Sequence, residues 1–197
     1  MERKEPCGSF LSSQLPRGIA LNYYLDTEFI ENGNKSPIQL LSIGIVADDG
    51  REFYAVVDKN DVDFSHVTPW INEHVIPLID YTNTMRLEEI KSALIEFMQP
   101  PVSIWGYYCD YDWVAFCGIF GKMIDLPDEF PKFCMDIKQL AVMLGNPTMP
   151  ISRDLIEHHA LGDARQIKFR HDWLMERMKC TCNGWGRKGN QINCEKR

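Results

Sequence analysis

Long apolar runs are missing from this chain. No stretch approaches the roughly 20 consecutive apolar residues of a membrane-spanning helix, and the opening MERKEPCGSFLSSQLPRG has no apolar centre of the kind a secretory signal carries. The first absence excludes a helical membrane protein, and the two together set the expectation of a cytoplasmic one. An even cysteine count is missing as well. Seven cysteines, of which Cys109, Cys117 and Cys134 fall in segments that read as buried, do not make a secreted disulfide framework. Cys180, Cys182 and Cys194 lie in CTCNGWGRKGNQINC, where a C-x-C without a second pair lacks the fourth ligand that zinc requires. That tail reads as loosely ordered, with incidental thiols. Positive charge is also scarce, and a net charge of −7 argues against a protein that grips a polyanion through basic residues alone. The scarcity is uneven: residues 165–197 hold nine Lys/Arg against three Asp/Glu, so the end of the chain is +6 and the first 164 residues are −13. An acidic body suits a site that gathers divalent cations through carboxylates and lets those cations meet phosphate.

What is present is the composition of one globular domain. At 197 residues and 45% hydrophobic content the chain can bury a sizeable core. Three regions are expected: a flexible extension over 1–18, the domain over 19–179, and a Cys-containing basic tail over 180–197. ALNYYLDTEFI (20–30), IQLLSIGIVA (38–47) and REFYAVV (51–57) are rich in aromatic and β-branched residues and are separated by the turn signals ENGNKSP and DDG, so they read as three antiparallel strands. Thr68-Pro69 then offers a cap and a first-turn proline to a short helix WINEHVIPLI, and Leu87, Ile90, Leu94 and Phe97 recur at helical spacing. VSIWGYY (102–108) reads as a buried strand parallel to the first, DYDWVAFCGIFG as a helix, and IKQLAVML as a helix capped by Asp136. The last helix is expected from about Gly162 to Met178. A meander of strands, a helical crossover, a parallel strand and further helices describe an α/β sheet flanked by helices.

Chemistry concentrates in three places. Asp26 and Glu28 lie two apart on the first strand, and the two-residue period sends both carboxylates to one face. The apolar LNYYL before them marks a central strand, where two like charges need a cation or a proton to be tolerated. Together with YYCDYDWVAF (107–116) and HHALGDA (158–164), the segment YLDTEF (24–29) resembles the three ordered motifs of the DEDDh exonucleases, which have a ribonuclease H-like sheet. The likeness covers about residues 20–178. Within that family DTEFIENG, LLSIGIVADDGREFYAV and MDIKQLA…GNP are similar to the RNase AS group of exoribonucleases, which favour adenylate-rich RNA. In the second motif Asp112, preceded by an aromatic residue and followed by apolar ones, is preferred to Asp110. In the third, the family spacing H-x-A-x-x-D selects His158, rather than His159, with Asp163, and Gly162 suits a tight join into the last helix.

The resemblance implies a ribonuclease H-like mixed sheet and two Mg²⁺ ions, with Mn²⁺ able to substitute. Asp26 would bridge both ions, Glu28 and Asp163 would complete one, Asp112 would support the other partly through water, and His158 would be the general base. Carboxylates suit Mg²⁺, which prefers hard oxygen donors. A histidine base predicts a rate that rises from about pH 6 to 8. The expected reaction is 3′→5′ hydrolysis of single-stranded RNA with a free 3′ end to nucleoside 5′-monophosphates. A DNA exonuclease and a catalytically idle nucleic-acid-binding module are the alternatives, and a homodimer is a further expectation. For the substrate groove, Phe29, Tyr108, Trp113 and Trp185 offer faces for bases, and Glu31 an acceptor for an adenine amino group.

Overall fold

A computed structural model describes residues 20–182 apart from Asn34, with side chains as far as Met178. The extension over 1–18, Trp185 and the thiols of Cys180, Cys182 and Cys194 therefore lie outside the described residues. Among the described residues six strands form one sheet, in the order β4 (Thr84–Met85), β3 (Glu52–Val57), β2 (Gln39–Ala47), β1 (Leu21–Ile30), β5 (Val102–Gly106), β6 (Met135–Asp136). β1 (Leu21–Ile30), β2 (Gln39–Ala47) and β3 (Glu52–Val57) are the expected antiparallel meander, and β5 (Val102–Gly106) lies parallel to β1 on its other side. Two short strands were not legible in the sequence. β4 (Thr84–Met85) and β6 (Met135–Asp136) are two residues each and extend the sheet by parallel pairing at its edges. Two residues are too few to show a strand period.

The helices follow from local chemistry. α1 (Pro69–His74) begins where the Thr68 hydroxyl accepts from Ile71 N at 3.2 Å, and it ends early: Val75 is followed by one 3₁₀ turn, Ile76–Leu78. The expected helix is broken because Pro77 has no N–H to give and its ring collides with the carbonyl four residues back. α2 (Leu87–Phe97) buries Ile90 and Leu94 on one face, and α3 (Asp110–Phe120) follows β5. Asp136 caps α4 (Ile137–Met143), its carboxylate accepting from Lys138 N at 2.6 Å. α5 (Ala160–Cys182) starts two residues before the expected Gly162 and runs four past Met178. Its first bond, Asp163 N to His159 O at 2.9 Å, places Gly162 inside the first turn. Glycine is needed there for proximity: a β-carbon on Gly162 would lie 2.7 Å from the Ile156 carbonyl oxygen.

β1 is central, so both its faces are covered. Tyr23 and Leu25 join Ile43, Ile45, Leu94 and Phe116 under α2 and α3, while Tyr24 joins Ile137, Ala141, Ile167 and Leu174 under α4 and α5. The alternation that separates those two cores also sends Asp26 and Glu28 to the α5 face. α5 crosses β2 so closely that a β-carbon on Gly44 would overlap the Ala160–Leu161 peptide. Gly44 is the cross-strand partner of Asp26, so the first turn of α5 is set down beside the acids. Among the described residues no helix is long and apolar enough to cross a membrane.

Candidate active site

Three carboxylates meet at the end of β1. Asp26, Glu28 and Asp163 each offer an oxygen, and these atoms all lie within 4.8 Å of one another. Asp26 and Glu28 arrive there by strand alternation and Asp163 by the first turn of α5. Its position near a helix N-terminus favours negative charge, and Asp163 Oδ2 also accepts from His158 N at 2.9 Å. Asp112 comes from the first turn of α3 and is buried, with Oδ1 accepting from Thr27 N at 2.9 Å and Thr27 Oγ1 at 2.6 Å. Asp110 is exposed on the same turn.

Burial and mutual repulsion push these acids upward together. Burial raises the Asp26 carboxyl well above its usual value, and the charges of Asp112, Asp163 and Glu28 add to this. Burial with Asp163 and Asp112 pushes Glu28 up to about 8. Burial lifts Asp112 to about 6 against the two Thr27 hydrogen bonds, which favour its anion. Asp163 is also raised by burial, and the His158 N–H opposes the rise. Four acids held this way need positive charge to ionise together. The donor set is hard oxygen, without thiolate, and it fits Mg²⁺ or a similar divalent cation better than zinc held by sulfur.

His158 has φ +62°, a left-handed conformation that costs a non-glycine residue on the order of 1 kcal/mol or more. Its N–H bond to Asp163 and a perpendicular contact with Trp70, ring centroids 4.9 Å apart, accompany that conformation. His159 turns elsewhere, its ring stacked on Tyr54 at 4.7 Å and its Nδ1 accepting from Gly162 N. Trp70 is half exposed and stacks on His74 at 5.0 Å with 12° between the rings. This pair stands against His158 and was not foreseen. The signal available was the i, i+4 spacing of Trp70 and His74, which puts both on one side of α1.

The residues expected in the groove are scattered. Phe29 follows a β-bulge after Glu28 and stacks on Tyr111 at 5.9 Å, close to the acids along the chain. Glu31 is exposed and accepts from Gly33 N at 3.2 Å within its own turn. Tyr108 is exposed at φ +54° and packs edge-on against Tyr107. Trp113 stacks on Phe116 and lines a mostly apolar groove of about 540 Å³ with Leu40, Leu87 and Met123, a lining that includes none of Asp26, Glu28, Asp112 and Asp163.

A family model described as the 3′-5′ exoribonuclease Rv2179c-like domain matches residues 21–171. The chain belongs to this family. The matched segment opens on the first residue of β1 and closes on α5, so the exoribonuclease-family domain contains Asp26, Glu28, Asp112, His158 and Asp163. Two relatives from Mycobacterium tuberculosis are each 37% identical over 152 residues, or 74% of this chain and 88% of the relative. They are the 3′-5′ exoribonuclease Rv2179c of strain ATCC 25618 / H37Rv and the 3′-5′ exoribonuclease MT2234.1 of strain CDC 1551 / Oshkosh.

Proposed function

We propose that this member of the family is a DEDDh-type, metal-dependent 3′→5′ exoribonuclease that releases nucleoside 5′-monophosphates from single-stranded RNA, with the adenylate preference of the RNase AS group. The observation that carries this reading is the meeting of Asp26, Glu28 and Asp163 within 4.8 Å, with Asp112 bonded to the residue between the first two. Asp26, Glu28 and Asp163, supported by Asp112, would hold two divalent ions, Mg²⁺ with Mn²⁺ able to substitute, and such ions supply water activation and charge stabilisation at the phosphate. His158 accepts the proton of the attacking water, in a conformation fixed by its own N–H bond to Asp163. Trp70 and His74 offer a face beside His158 on which a base of the substrate stacks. A homodimer remains part of the proposal.

Labelled RNA and DNA oligomers of equal sequence, incubated with Mg²⁺, test it. Release of single nucleotides from the 3′ end of RNA, faster for adenylate-rich than for uridylate-rich strands, is expected. Preference for DNA, or intact RNA in every divalent ion tried, would overturn it. In the same assay Trp70→Ala should raise KM about tenfold, as loss of one stacked base predicts, with kcat within about threefold; an unchanged KM would remove Trp70 from the substrate path.

The raised acids also predict how the protein responds to pH. Glu28 moves from 4.5 in the unfolded chain to about 8, and Asp112 from 3.8 to about 6. The folded state therefore binds more protons than the unfolded one between these limits. Their stabilising effect is complete below pH about 4 and is lost as pH rises through about 6 and then 8. In EDTA the thermal midpoint should fall between pH 5 and 8, and saturating Mg²⁺ should raise it more at pH 8 than at pH 5. A Mg²⁺ effect that was equal at both pH values would contradict the acidic cluster as the ion site.

A further inference from the structure

We infer that Thr27 is a positioning residue for the fourth carboxylate, its N–H and hydroxyl both fixing Asp112 Oδ1 so that Oδ2 is the oxygen that would remain to serve the ions. The inference rests on the metal-dependent reading above. Thr27 lies between Asp26 and Glu28, and strand alternation sends its side chain to the other face of the sheet, toward α3. The pairing of β1 with β5 ends at Tyr24, although β1 itself continues to Ile30. Past that point no strand among the described residues lies beside this β1 edge, and the Thr27 N–H meets Asp112 instead, at 2.9 Å. The hydroxyl adds the shorter bond to the same oxygen, at 2.6 Å.

Both residues are buried, Thr27 at 5% and Asp112 at 8% exposure, so neither bond competes freely with water. Hydrogen bonds to an ionised carboxylate are the stronger kind, and two on one oxygen define the rotation of the side chain. Asp112 is outside the three-acid group whose oxygens lie within 4.8 Å of one another. Thr27 accounts for that offset, because it holds one Asp112 oxygen against β1. Asp112 would then serve the ions through its second oxygen or through a water. Outer partners of this kind orient metal ligands, and their loss costs about 10- to 100-fold in metal affinity.

The backbone bond is open to any residue except proline, whereas the hydroxyl bond needs Thr or Ser. Thr27→Val keeps the shape and removes that one bond; Thr27→Ser keeps the bond and removes a methyl group. Mn²⁺ binding without RNA, followed by the paramagnetic resonance of free Mn²⁺, should weaken about tenfold in Thr27→Val and stay within about threefold of wild type in Thr27→Ser. The Mn²⁺ concentration for half-maximal RNA hydrolysis should shift in the same order. If Thr27→Val does not fold, Thr27→Ala removes the same hydroxyl and should show the same loss. Wild-type Mn²⁺ affinity in a folded Val or Ala variant, or an equal loss in Thr27→Ser, would overturn the inference. Asp26→Asn serves as the control: if it binds Mn²⁺ as wild type does, the metal-dependent reading fails, independently of Thr27.

Discussion

Asp26→Asn is expected to lower turnover about 10²- to 10³-fold, the scale on which removing one group from an electrostatic site acts, while making the metal-free protein more stable at pH 8. The two changes share one cause. Asp26 is raised by burial and by Asp112, Asp163 and Glu28 together, so its anion is unfavourable in the absence of cations. A neutral amide of the same shape relieves that repulsion but removes one of the three carboxylates whose oxygens lie within 4.8 Å of one another. Rate measurements on RNA in Mg²⁺ and thermal midpoints in EDTA check the pair. A variant that lost activity and stability together would mean that Asp26 holds the fold and not the ions.

Gly44→Ala should produce a large structural effect for a single methyl group. The added carbon would overlap the Ala160–Leu161 peptide, and backbone on a helix facing a strand has no flexible end that can yield. α5 must move away from β2, at a cost of about 3 kcal/mol, the upper range for overpacking in a core. Asp163 lies three residues beyond Ala160, so the shift carries its carboxylate away from Asp26 and Glu28. Activity should therefore fall at least about tenfold even at temperatures where the variant remains folded, a loss consistent with misplacing a catalytic group by a fraction of an ångström to an ångström. A wild-type thermal midpoint would show that the helix can ride over the extra carbon.

Acidic pairs on a central strand are unstable in isolation, and that tension was already visible in LNYYLDTEF. Asp26 and Glu28 could be assigned to one face by alternation alone, and the fold brings them together there with Asp163. The rest of the site depends on contacts between distant segments. Thr27 and Asp112 are 85 residues apart, and no local pattern indicates that the β1 edge is left open where α3 begins. Trp70 reaches His158 across a similar separation, through a helix that proline shortens. In the sequence Phe29, beside Glu28, is the first choice for stacking a base, and Trp113 is a further candidate. The helix turn sends Trp113 to a groove whose lining excludes Asp26, Glu28, Asp112 and Asp163.

The meander, the parallel strand, the capped helices and the pairing of two carboxylates on one face were all legible in the residue pattern. These follow from periods of two and 3.6 residues and from side chains that act on their own neighbours. Packing between distant elements set where α5 begins over Gly44, which oxygen of Asp112 is held by Thr27, and which aromatic rings stand beside His158. Those outcomes are set by close packing between elements far apart in the chain, where a single β-carbon or one unpaired strand N–H selects the arrangement.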